Sequence, residues 1–202
     1  MTSSQRQSWF EGWRLFAVLA LTLVALCAAI AGIRDFDVDG VRMVIRFTAR
    51  TSLLFFCLAF SAAALGRLWP NAFTRWQRRN RRYLGVTFAA SHALHAAAIV
   101  AFANMDPAGF AAATSLASYL FGGIGYAFII AMTATSFDAT SAALGPRAWR
   151  TLQIAGGYYV SFGKRVPDMP LYSLFLIPLM AVFVLRMVAM ASRQTPRTVE
   201  AS

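Results

Sequence analysis

The sequence has little charge for its length, and that charge is almost entirely of one kind. Charged residues make up 13% of the 202 residues, whereas hydrophobic residues make up 58%. A soluble domain of this length cannot bury so much apolar surface, so the composition excludes the ordinary soluble classes and predicts an integral membrane protein. Lys164 is the sole lysine, and arginine supplies nearly all of the net charge of +11.

The sequence also lacks long polar segments, so we expect no flavin or nucleotide domain in this chain. In a soluble protein the arginine excess would suggest a nucleic acid partner. Here the arginines lie in short segments between apolar runs, where they fix orientation and contact anionic headgroups. The composition therefore predicts a lipid membrane as the surroundings and no nucleic acid partner. Cys27 and Cys57 lie within apolar runs, which is typical of small hydrophobic side chains.

Six apolar runs predict an all-α integral membrane bundle of six transmembrane helices. The first run is too long for the hydrophobic part of a typical signal peptide, so we expect it to be retained. Residues 1–12 would be a cytoplasmic lead, residues 13–191 the transmembrane domain and residues 192–202 a polar disordered tail. The predicted spans are 13–33, 47–68, 83–104, 110–135, 148–162 and 171–190.

The distribution of basic residues predicts the orientation. With both termini inside, 12 arginines lie on the inner side and 6 basic residues on the outer side. The positive-inside rule then favours an inner (cytoplasmic) membrane with both termini in the cytoplasm.

Acidic residues are few, and three of them alternate in the link between the first two spans. Asp35, Asp37 and Asp39 could coordinate a hard cation if the loop wrapped around it. The rest of an EF-hand pattern is missing, so we predict a solvated turn over residues 34–46. No Ser, His and Asp group shares a common depth, so the sequence indicates no acid, base or nucleophile.

Both histidines of the chain, His92 and His95, lie in the third span after an arginine-rich segment. At about 1.5 Å per residue from Tyr83, they lie roughly 13 to 18 Å into a hydrocarbon layer about 30 Å thick. Ionisable side chains at that depth are costly, which favours an inward-facing functional pair.

The spacing of i and i+3 places both histidines on one helical face, so they cannot hold a single haem iron from both sides. Three arrangements stay open. One histidine binds haem iron and the other supports it, or both contact one small metal ion. Alternatively, they are neutral imidazoles hydrogen-bonded to Ser, Thr or Tyr of neighbouring helices. In the fourth span, Gly122, Gly123 and Gly125 would allow a neighbouring helix or a flat ligand to approach closely.

Two stretches carry a resemblance to a known family. The first has an arginine-rich lead, then Leu84 and Gly85, with His95 eleven residues after Leu84. This stretch resembles the third helix of the ferric reductase-like transmembrane domain family. The second matches the family in order at Thr135, Ser136, Leu144, Gly145, Trp149 and Leu152. The resemblance covers residues 47–162, and small members without extra domains are similar, such as the haem subunit of the periplasmic methionine sulfoxide reductase system.

The resemblance implies a b-type haem and a role in electron transfer. Family members hold haem with histidines of the third and fifth helices and exchange electrons with a partner protein or a quinone. His95 would be the ligand of the haem iron and His92 a support or alternative ligand. Gln153 stands where the fifth-helix histidine is expected, so the opposite axial site would be empty or filled by a weak ligand such as Gln153 or a methionine.

The preferred interpretation is therefore a haem-associated electron-transfer membrane protein. Whether it acts as an oxidoreductase subunit stays open at this point. One alternative is a structural or partner-binding membrane protein that has lost haem. Another is a small transporter or quinone-binding protein whose histidines take part in proton movement.

Overall fold

The computed structural model describes residues 10–162 and 173–191, and within these ranges the chain forms α-helices and no strands. The all-α class is thus confirmed. Most of the predicted lead and all of the predicted tail lie outside the described residues. The helices are α1 (Gly12–Gly32), α2 (Val38–Leu68), α3 (Ala72–Arg79), α4 (Arg81–Met105), α5 (Pro107–Ala113), α6 (Leu116–Ala134), α7 (Asp138–Leu144), α8 (Pro146–Phe162) and α9 (Ser173–Ala191).

Four of these helices are long and apolar enough to cross a membrane: α1, α2, α4 and α6. The length and composition of these four helices are those of a membrane protein. Helix α8 has only 17 residues, and α9 contains Pro178. The count of six spans therefore stays a prediction, and the patch 163–170 between these two helices lies outside the described residues.

Helix α2 begins at Val38, well before the predicted span, so the prediction of a turn over residues 34–46 is wrong for residues 38–46. The Asp37 carboxylate accepts a hydrogen bond from the Gly40 amide at 2.6 Å and caps the helix. The Asp39 carboxylate lies 3.2 Å from the Arg34 guanidinium. Capping and ion pairing therefore account for two of the three alternating acids, because a negative charge is stabilising near a helix N-terminus.

The arginine-rich link before the histidine helix contains a short helix, α3. A capping box begins it, in which the side chains of Asn71 and Thr74 each accept from the other's backbone N–H. Buried Asn80 separates α3 from α4, and its Oδ1 accepts from the Gly12 amide at 2.9 Å. This bond fixes the start of α1 against the start of the histidine helix.

The predicted span 110–135 is divided into α5 and α6. Thr114 is extended, and Ser115 caps α6 by accepting from the Ser118 amide at 3.2 Å. Ser115 thus begins a new helix, because its side chain satisfies an amide that the preceding turn cannot reach.

The core lies where α1, α2 and α4 pack together, with α9 against α2. Phenylalanines of α2 and α4 dominate it, with Leu23 of α1 and Val182 of α9. Helix α6 is different: Ile129 is its one buried residue, and all of its residues are described. Because so little of α6 is buried, space is left between α4 and the pair of α6 and α8. Both cavities described below lie in that space.

Candidate functional site

The two histidines share one face of α4, as their spacing predicts. Their ring centroids are 5.7 Å apart. The His92 ring is 9% exposed and lies 4.9 Å from the Phe88 ring and 5.6 Å from the Tyr126 ring. The Tyr126 hydroxyl donates to the His92 carbonyl oxygen at 3.4 Å, which joins α6 to α4 at this level.

His95 is held by α2 through one ring nitrogen. Its Nδ1 lies 3.1 Å from the carbonyl oxygen of Ile45 and 3.0 Å from the hydroxyl of Thr48. A carbonyl oxygen can only accept, so the Ile45 contact assigns the proton to Nδ1. The Thr48 hydroxyl donates to the Val44 carbonyl at 2.7 Å and so has a lone pair for His95. In this tautomer the lone pair of the imidazole is on Nε2.

A buried hydroxyl group supports this contact one turn before His95 in α4. Ser91 has no exposed surface, and its Oγ donates to the Thr48 carbonyl at 3.2 Å. Ser52 donates to the Ser91 Oγ at 2.9 Å, and the Thr51 hydroxyl lies at the same distance. We call Thr48, Thr51, Ser52 and Ser91 the hydroxyl network. Polar side chains that hydrogen-bond across helices are typical of membrane interfaces.

The hydroxyl network was not predicted from the sequence. Thr48 and Ser52 are four residues apart in α2, and Ser91 adjoins His92 in α4. The spacing of Thr48 and Ser52 could have predicted this network, because residues at i and i+4 lie on one helical face and two hydroxyls there can contact a neighbouring helix.

The histidines line a cavity of about 260 Å³, here called the histidine cavity. Its α4 wall is His92, His95 and Ile99, and α6 and α8 form the opposite wall. A Cβ added at Gly122 would meet nothing within 4 Å, so this part of the α6 wall is open. The other lining residues are Ala117, Ser118, Phe121, Gly125, Tyr126, Ile129, Tyr159 and Val160.

Gln153 does not lie in the histidine cavity. It lines a second cavity of about 370 Å³ at the arginine-rich end of α4, here called the arginine cavity. Its Nε2 donates to the Met132 carbonyl at 3.2 Å. The structure thus brings His92 and His95 together and places Gln153 elsewhere. Ile129 lines both cavities and separates them.

A metal site made only of protein side chains finds no support here. Within residues 10–162 and 173–191, no group of three or more His, Cys, Asp or Glu side chains is close enough to hold a metal ion. Two imidazoles alone do not complete the ligand set of a small ion such as zinc.

Comparison with known proteins gives no relative for this chain: no family model, curated protein or solved structure matches it. The resemblance to the ferric reductase-like family stays a prediction from the two quoted stretches.

Proposed function

We propose that this membrane protein binds one b-type haem in the histidine cavity, with His95 as the axial ligand, and transfers electrons within the membrane. The contact between His95 Nδ1 and the Ile45 carbonyl carries the proposal. Metal-binding histidines almost always donate their second ring N–H to a carbonyl, carboxylate or water, which fixes the ring and raises the basicity of the other nitrogen. The ferric reductase-like resemblance points to the same histidine.

The histidine cavity would offer a haem one protein ligand. His92 adjoins His95 on the same helical face and would contact the ring edge or replace His95 as ligand. The glycine-containing wall of α6 lies opposite, where Gly122 leaves open space for a flat group. When bound, b-type haem would supply reversible one-electron transfer. We leave Gln153 out of the ligand set because it lines the other cavity.

The same proposal includes the finer topology. Six spans would place both termini in the cytoplasm and the arginine-rich start of α4 at the cytoplasmic face of the inner membrane, in agreement with the positive-inside rule. Electrons would then be exchanged with a redox partner protein or a quinone, since this chain would carry no second cofactor of its own.

A reduced-minus-oxidised optical spectrum of the purified protein, with a pyridine haemochromogen assay, tests the proposal. We expect a Soret band and a single haem per chain after expression with ample haem. His95→Ala should abolish binding, whereas His92→Ala should retain haem with an altered spectrum. Equal haem content in His95→Ala and the unchanged protein would rule out His95 as the ligand.

A matched pair of glycine substitutions tests the location independently of the ligand. Gly122→Leu would fill the histidine cavity, whereas Gly123→Leu adds the same side chain on the same helix outside both cavities. We expect haem loss only in Gly122→Leu. Haem retention in both variants would place the haem elsewhere.

The hydroxyl network favours a second candidate function, in which the fold carries no haem and His95 is a structural residue. Its contacts with Thr48 and Ile45 join α2 to α4 whether or not a cofactor is present. In that case the purified protein would show no Soret band, and His95→Ala would lower the unfolding stability instead. A featureless spectrum would direct the search to protein partners and transported solutes.

A further inference from the structure

The arginine cavity is not used by the proposed function. It lies among α2, α4, α6 and α8, next to the arginine-rich segment that precedes and begins the histidine helix. Four arginines line it at one end: Arg78, Arg79, Arg81 and Arg82. Its other lining residues include aromatic and aliphatic side chains of α2 and α6 and the polar groups of Thr135, Ser136 and Gln153.

The lining changes from cationic to apolar along the membrane direction. Phe56 of α2 and Phe88 of α4 line the inner part, whereas the Phe60 ring lies beside the Arg186 guanidinium. Phe88 is seven residues after Arg81, which places it about 10 Å deeper at 1.5 Å per residue. A ligand that fills this cavity would thus contact guanidinium groups at one end and aromatic rings at the other.

The cationic end has an excess of positive charge. Arg186 of α9 adds a fifth guanidinium group beside this cavity, next to the lining residue Phe60. The Arg186 guanidinium is itself held 3.9 Å from the centre of the Phe60 ring and donates to the Phe60 carbonyl. Arg79 forms an ion pair with Glu11 at 2.8 Å. No acidic side chain lines the cavity within the described part of the chain.

We propose that the arginine cavity binds a phosphate-bearing anionic amphiphile, an acidic phospholipid of the surrounding bilayer. The phosphate would lie against Arg78 and Arg81, because guanidinium groups form charge-assisted, often bidentate hydrogen bonds with phosphate. An acyl chain would follow the aromatic side chains inward. The anionic headgroup would also partly neutralise the excess of positive charge at this end, which a zwitterionic lipid does less well.

The first test is native mass spectrometry of the full chain in detergent, titrated with dioleoylphosphatidylglycerol, dioleoylphosphatidylcholine or inorganic phosphate. We expect one phosphatidylglycerol per chain, bound about tenfold more tightly than phosphatidylcholine. Inorganic phosphate should compete only weakly because it lacks the apolar chain. Equal binding of the two lipids would overturn the proposal, and so would full displacement of phosphatidylglycerol by inorganic phosphate at the concentration of the lipid.

Two double variants with the same change in charge locate the site. Arg78→Gln with Arg81→Gln removes two cavity arginines, and we expect at least about a tenfold loss of phosphatidylglycerol affinity. Arg75→Gln with Arg147→Gln removes two arginines that do not line the cavity and should change the affinity little. Equal loss in both double variants would indicate general attraction to the basic surface and overturn the site.

A third variant keeps every arginine. A Cβ at Gly85 would meet nothing within 4 Å, and Gly85 lines the arginine cavity, so Gly85→Leu would occupy the space for the acyl chain. We expect it to weaken phosphatidylglycerol binding while Gly123→Leu does not. Unchanged binding in Gly85→Leu would show that the lipid lies outside the cavity.

Discussion

Removal of a single buried hydroxyl, in Ser91→Ala, should measurably weaken the contact between α2 and α4. The Ser91 Oγ takes part in three hydrogen bonds, to Thr51, Ser52 and the Thr48 carbonyl. Thr51 has further acceptors in its own helix, at the Phe47 and Thr48 carbonyls. Ser91→Ala therefore removes mainly two hydrogen bonds: the one that Ser91 accepts from Ser52 and the one that it donates to the Thr48 carbonyl.

The size of the effect follows from measured interhelical hydrogen bonds in membranes, which average about 0.6 kcal/mol and reach at most about 1.7 kcal/mol. Two such bonds give an expected loss of about 1 to 2 kcal/mol in the free energy of unfolding. A change of about 1.4 kcal/mol alters the unfolding equilibrium tenfold, which an equilibrium titration resolves.

The measurement is reversible unfolding in mixed micelles with increasing dodecyl sulfate, on Ser91→Ala, Ser52→Ala and the double variant. Thr22→Ala is the control, because the Thr22 hydroxyl is exposed and bonds only its own helix, at the Val18 carbonyl. We expect the two network substitutions to be non-additive, since they remove the same bond. A Ser91→Ala stability equal to that of Thr22→Ala would refute the reasoning.

Three further substitutions test other parts of the fold. Asp37→Ala removes the cap of α2 and should cost about 1 kcal/mol, visible as faster hydrogen exchange in the first turn of α2, whereas Asp37→Asn should preserve the cap. Asn80→Ala removes the acceptor of the buried Gly12 amide and should lower the midpoint of thermal unfolding, at a cost of about 1 to 3 kcal/mol. Gly157→Ala places a Cβ 2.7 Å from the buried Phe60 ring and should cost about 1 to 3 kcal/mol by the same assay, while Gly123→Ala should not.

Long apolar runs with charged flanks made α1 and α4 predictable from the sequence. The predicted span 13–33 corresponds to Gly12–Gly32, and the predicted span 83–104 lies within Arg81–Met105. In such runs composition alone predicts an α-helix, because in lipid every backbone N–H and C=O must be hydrogen-bonded within the helix. The shared face of His92 and His95 was predictable for the same reason, since it depends only on helical periodicity.

Capping and the register between helices were not predictable in the same way. The alternating acids around Asp37 looked like a loop, whereas one of them begins α2. The contact of Thr48 with His95 joins residues 47 positions apart and depends on how α2 slides against α4. The position of Gln153 depends likewise on the packing of α8 against α6, which the two matching stretches of sequence do not contain.

One stripe of α4 explains why two chemically different cavities lie side by side. Residues at alternating spacings of four and three face the gap beside α6 and α8: Arg81, Gly85, Phe88, His92, His95 and Ile99. The first three line the arginine cavity and the last three line the histidine cavity. Such spacing keeps residues on one helical face. The stripe thus runs from cation through aromatic ring to imidazole.

The division between the cavities depends on Ile129, which is 5% exposed and has no polar side-chain atom. An anion held at Arg81 would therefore be separated from the imidazoles by an apolar wall, so the two proposed ligands would bind without sharing a hydrogen bond. Because Ile129 is also the buried residue by which α6 contacts the core, any shift of α6 would change both cavities together. The proposed haem site and the proposed lipid site would then be coupled through the position of α6, by packing rather than by charge.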